Sequence, residues 1–87
     1  MKVSVKVKYN RIRRGCQYSL TQGVSTFMLE VDDILMDGNQ PAAGTMNQDS
    51  LAGQCWHTCI SQLAEDEPHV RASPQSITVN GYEVLGA

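Results

Sequence analysis

The sequence predicts an α+β fold: a small antiparallel β-sheet, built from an N-terminal meander and a C-terminal Asn-Gly hairpin, with one α-helix packed on one face. Three observations carry this. Val3, Val5, Val7 and Tyr9 alternate strictly with Lys2, Ser4, Lys6 and Lys8, the period-2 pattern of a half-buried strand. Leu51, Cys55, Cys59 and Leu63 recur every fourth residue, which places them on one helix face. Asn80-Gly81 separates two short apolar runs, and that dipeptide supplies the two positive-φ positions of a type I′ hairpin turn.

The elements follow in order. Residues 2–9 form the first strand, and Arg13-Arg14-Gly15 reads as the turn after it. Residues 16–21 alternate again, with Cys16, Tyr18 and Leu20 on one side. Gln22-Gly23 offers a second turn, since glycine tolerates positive φ. Residues 25–32 make a third strand with Phe27, Leu29 and Val31 inward and Met28, Glu30 and Asp32 outward. Ile34, Leu35 and Met36 extend it past a bulge, because the apolar phase shifts at Asp32-Asp33. Residues 37–47 are rich in turn formers and read as the longest loop.

The helix is predicted over 48–65, with Asn47 or Asp49 as its N-cap and Pro68 as its stop. Ala52, Trp56 and Ile60 widen its apolar stripe. In the closing hairpin Ile77, Val79, Tyr82 and Val84 share a face. The pattern is compatible with two strand orders. Direct pairing of the first and third strands sets Lys6 and Lys8 against Glu30 and Asp32. A meander sets them against Gln17, Ser19 and Thr21, and the Arg-Arg-Gly turn favours the meander.

Eighty-seven residues suit a single domain, 1–87, and such a chain buries roughly 60–68% of its unfolded surface, enough for one thin core. With 41% hydrophobic and 18% charged residues the composition is globular rather than disordered. No apolar run approaches the ~20 residues of a bilayer span, and the Lys/Val alternation is not the pattern of a secretory leader. Three cysteines, an odd number, read as reduced thiols. Together these lead to the expectation of a cytoplasmic protein that does not engage a membrane.

Charge is strongly polarised. Six of the seven basic residues lie in the first fourteen: Lys2, Lys6, Lys8, Arg11, Arg13 and Arg14, with no acid among them. The remaining chain holds Arg71 and all nine carboxylates. Lys6 and Lys8 sit about 6.6 Å apart on one strand face at ~3.3 Å per residue. Together with Arg11, Arg13 and Arg14 they make a basic stripe suited to an acidic protein surface or a phosphate backbone. Glu65, Asp66 and Glu67 sit at the negative end of the helix dipole, where carboxylates are unfavourable. They form a second, acidic candidate for partner binding.

The chemistry-bearing types are sparse. Cys55 and Cys59 could join Cys16 or His69 in a zinc site, but tetrahedral sites favour two close ligand pairs and only one exists. Burial as small apolar residues is the stronger reading. His57 lies between the two thiols in sequence and points away from both on a helix. Asp37-Gly38-Asn39 begins like a calcium loop but lacks its later ligands. No phosphate-binding glycine loop, nucleophile elbow or His-Glu-x-x-His motif occurs.

The expectation is a small non-enzymatic protein-binding module without metal or cofactor. Its partner is another protein, with a homodimer through edge strands as one form. Compact chains of this kind occur often among phage and mobile-element products. An inhibitor or adaptor, such as an antagonist of a host nucleoprotein defence complex, is the expectation within that class. The alternative is a nucleic-acid-binding protein using the basic strand and turn. Base-stacking readers usually add exposed aromatics, and Tyr9 falls on the apolar side of its strand.

Overall fold

The computed structural model describes residues 1–12, 20–66 and 71–86. The predicted first strand, β1 (Lys2–Ile12), is a central strand of the sheet, flanked by β2 (Leu20–Glu30) and β5 (Arg71–Val79). Both pairings are antiparallel. The hairpin partner of β5, β6 (Tyr82–Leu85), completes the order β2-β1-β5-β6. Between β2 and β5 the chain makes a 3-10 turn at Asp33–Leu35, a two-strand ribbon of β3 (Met36–Asp37) and β4 (Gln40–Pro41), and helix α1 (Thr45–Asp66). The fold is therefore the α+β class that the sequence predicts, with α1 packed on the sheet.

Hydrophobic burial explains the arrangement. Val3, Val5, Val7 and Tyr9 all point to the helix side and are buried. Leu51, Cys55 and Cys59 meet them from α1, and Ile77 and Val79 from β5. Val31, Leu35 and Met36 close one end of this core. The helix lies mainly over β5, β6 and β1. Phe27 and Leu29 of β2 are consequently only half-buried, although they point to the same side.

Several local expectations are corrected. Gln22-Gly23 is not a turn; it lies inside β2, where Gly23 pairs with Tyr9. The glycine serves packing rather than chain reversal. A Cβ built on it would lie 2.6 Å from the Tyr9 Oη, so the ring occupies the space a side chain would need. The 16–21 and 25–32 strands are accordingly replaced, within the described residues, by the one strand Leu20–Glu30. Residues 34–36 do not prolong it: they form the 3-10 turn and the start of β3. The expected 37–47 loop contains the β3–β4 turn, with Gly38 at φ 65°.

The helix starts at Thr45, earlier than predicted, and Asn47 lies inside its first turn. Asn47 Nδ2 donates to the Ala43 carbonyl at 3.0 Å instead of capping free amides. Its apolar stripe is as read except that Ile60 is 41% exposed.

The Asn-Gly hairpin is as predicted, with Asn80 at φ 50° and Gly81 at φ 84°. The shared face of its residues is not. The register shifts between Ile77 and Thr78, so Val84 and Leu85 are both half-buried while Tyr82 is exposed. The Asn80 side chain adds what the turn signal alone does not convey. Its Oδ1 accepts from the Ser4 amide at 2.9 Å, and its Nδ2 donates to the Asn39 carbonyl at 3.2 Å. One residue thus ties the hairpin to β1 and to the β3–β4 turn.

The buried thiols make a testable link between packing and pH. Burial pushes the Cys55 thiol up from 9.0 to about 11. Burial also raises Cys59, against a hydrogen bond with Ser25 that lowers it. Between pH 9 and 11 the unfolded chain loses a proton that the folded chain keeps, so stability falls as pH rises through that window. The loss at Cys55 is on the order of 2 kcal/mol. Urea midpoints measured from pH 8 to 11 are expected to fall less steeply for Cys55→Val than for the wild type. Equal slopes would show that Cys55 ionises freely in the folded protein.

Candidate functional site

Strand parity builds the candidate site. Alternate residues of β1 face away from the helix, so Lys2, Ser4, Lys6 and Lys8 are exposed while their neighbours are buried. Among the described residues no helix or second sheet covers this outer face. The register decides what surrounds each lysine. Lys6 stands between Thr26 and Thr78, and Lys8 between Val24 and Ser76. Lys2 pairs with Glu30.

This corrects both sequence alternatives. β1 does pair directly with the segment that contains Glu30, but the carboxylate falls to Lys2 rather than Lys6. The Gln17 and Ser19 partners lie outside the described residues, and Thr21 pairs with Arg11. Among the described residues neither Lys6 nor Lys8 has an ion pair. Two ammonium groups therefore stand in a row on an open face framed by hydroxyls and Val24.

Arg11 does not continue that row. It occupies the parity of Tyr9 and Val7, which is the helix side, and its Nε donates to the Thr21 hydroxyl at 3.1 Å. Arg13 and Arg14 lie outside the described residues, as do Cys16, His69 and Glu67. Glu65 and Asp66 are exposed at the C-terminal end of α1. His57 is exposed, and Cys55 and Cys59 are buried free thiols on the opposite side of the helix. Among the described residues no three His, Cys, Asp or Glu side chains come together as a metal site would require. No helix is long and apolar enough to cross a membrane.

The acidic charge gathers elsewhere. A groove of about 590 Å³ is lined by Met1, Glu30, Val31, Asp32, Asp33, Ile34 and Gln54. The Met1 ammonium sits between Glu30 Oε1 at 3.0 Å and Asp33 Oδ1 at 3.2 Å. Hydrogen bonds to these two carboxylates raise its pKa. The acidic groove therefore lies at the Met1 end of β1, where Glu30 also pairs with Lys2. No family model, curated protein or solved structure significantly matches this chain.

One feature escapes a reading by charge. Val24 and Met28 point to the outer face of β2 and are 56% and 61% exposed. The signal was present in sequence: Val24 and Met28 are apolar on the side opposite Phe27 and Leu29, so this strand is apolar on both faces. An edge strand with that pattern has two surfaces to cover, and among the described residues one helix is available.

Proposed function

We propose that this chain is a non-enzymatic protein-binding module, acting as an inhibitor or adaptor, that takes an acidic partner surface on the outer face of its sheet. The observation that carries the reading is the environment of Lys6 and Lys8. Both are exposed, neighbouring strands set hydroxyls and Val24 beside them, and no carboxylate opposes them in register. Two cations with no carboxylate opposite them on one strand attract and orient an anionic partner.

The face supports a protein partner over a single-stranded nucleic acid. Tyr9 and Phe27 point to the helix side, and among the described residues the outer face presents no aromatic ring for base stacking. Val24 and Met28 supply instead the apolar contact area common at the centre of protein interfaces.

The test is affinity capture from nuclease-treated extract with the wild type and with Lys6→Gln/Lys8→Gln. Both substitutions are at exposed positions, so the fold is expected to be unchanged by circular dichroism. A protein captured by the wild type is expected to weaken about tenfold or more with the double variant. Capture that vanishes on nuclease treatment, with a steep salt dependence on random DNA or RNA, would replace this reading with nucleic-acid binding.

A further inference from the structure

We infer that the free edge of β2 pairs with the β2 edge of a second copy, antiparallel and centred on Thr26. This rests on the strand edge and not on the lysine row, so it stands or falls independently of the proposed partner.

Hydrogen-bond parity defines the edge. Met1 and Val31 exchange both backbone hydrogen bonds, Val31 N–H to Met1 carbonyl and the Met1 ammonium to Val31 carbonyl, each 2.9 Å. Alternation along an antiparallel ladder then directs the odd residues of β2 toward β1. The amides and carbonyls of Gln22, Val24, Thr26, Met28 and Glu30 point outward, and among the described residues no strand pairs with that side.

The two edges of the sheet are treated differently. β6 is a four-residue strand with a register irregularity at Val84, and β5 carries another at Gln75 beside Pro74. Pro74 opposes Tyr9, whose parity makes it a non-hydrogen-bonded position, so its missing N–H faces the open side. Short strands, bulges and proline are the ordinary protections against unwanted pairing. β2 has none of them: it runs eleven residues without proline or lysine, and its register with β1 is unbroken.

Self-pairing fits the charge and apolar pattern in one register. With Thr26 on the two-fold axis, Val24 lies opposite the partner's Met28 and Gln22 opposite the partner's Glu30. Both exposed apolar side chains find an apolar neighbour. The single charge of the strand, Glu30, is sent to opposite ends of the interface, about 26 Å apart. Centring on Met28 instead would set Val24 against the partner's Asp32, and centring on Glu30 would oppose two carboxylates. Five hydrogen-bonded pairs give about ten backbone hydrogen bonds, the number of a standard interface. The area is smaller: roughly 30 Å of edge on a sheet about 10 Å thick is some 300 Å² per copy before side chains. A stable standard interface needs ~800 Å² per copy, so the dimer is weak and concentration-dependent.

Sedimentation of the wild type over two decades of concentration is expected to show a monomer–dimer equilibrium, since a contact this far below standard size is weak. Thr26→Pro removes one outward N–H and is expected to shift the midpoint at least tenfold upward. Val24→Lys/Met28→Lys tests the same edge without altering the backbone, with circular dichroism reporting that each variant is folded. The register is tested by oxidation in a Cys16→Ser background, where the remaining native thiols are buried. Thr26→Cys is expected to form a disulfide-linked dimer, since Cα atoms about 5.5 Å apart are within bridging distance. Gln22→Cys is expected not to. A monomer throughout the series, a dimer unchanged in the folded lysine variant, or cross-linking through Gln22→Cys alone would overturn the inference.

Discussion

Replacing Leu51 by alanine is expected to lower stability by about 3 kcal/mol and the melting temperature by roughly 12–24 °C. Leu51 is fully buried and, with Ile77, is one of the two largest fully buried side chains among the described residues. It faces a sheet lined by valines, which are stiff at χ1 and cannot swing into the space left behind. The cavity contribution therefore adds to the lost transfer free energy. An 87-residue domain has a total stability on the order of 4–13 kcal/mol, so this one truncation removes a large part of it. Ile60→Ala on the same helix is the matched control. Ile60 is 41% exposed, and its truncation is expected to cost less than about 1 kcal/mol. Urea denaturation of the two variants decides the matter: similar costs would mean that the helix does not pack through the Leu51 stripe.

Gly23→Val is expected to cost about 3 kcal/mol, against the trend of strand propensity. Valine is favoured over glycine within strands, by up to ~1 kcal/mol. Here the new Cβ would occupy the position of the Tyr9 ring, which is itself buried. Either the strand bends or the ring leaves the core. Overpacking costs typically 1–3 kcal/mol, and displacing a buried aromatic adds to it, so the clash outweighs the propensity gain. The pair should couple strongly. In a Tyr9→Ala background the same valine is expected to cost little or to stabilise, because the space is then empty. Additive costs in the double-mutant cycle would show that Gly23 and Tyr9 act separately.

Gly23 also shows where a local reading of this chain stops. Val3 to Tyr9, the Leu51–Leu63 stripe and Asn80-Gly81 each carry their signal within a few residues, and each has its predicted element type. Gln22-Gly23 has the same local signature as a turn. The reason it lies in a strand is Tyr9, fourteen residues earlier, and no short window around the glycine contains that ring. The lysine row has a similar history. Alternation was sufficient to place Lys6 and Lys8 on one exposed face. Their neighbours depend on register, which β5 sets from the far end of the chain. The sequence leaves open which strand lies at an edge; the apolar residues on both faces of β2 single that strand out only once its place in the sheet is known.

The placement of β1 between β2 and β5 has a consequence for how the chain folds as it is made. Ser4 hydrogen-bonds to Asn80, 76 residues away in sequence. The β1–β2 hairpin can close early, but the second side of β1 waits for β5 to emerge. At about 5–20 residues per second, the stretch from Glu30 to Leu85 takes roughly 3–11 s to synthesise. Throughout that interval both edges of the nascent hairpin are long strands, where the finished sheet has the short β6 at one edge, and its valine face has no complete helix to cover it. Pairing of such distant segments is also intrinsically slow, because loop closure must precede the contacts that reward it. The growing chain, rather than the finished protein, is therefore the species most exposed to misassociation on the ribosome.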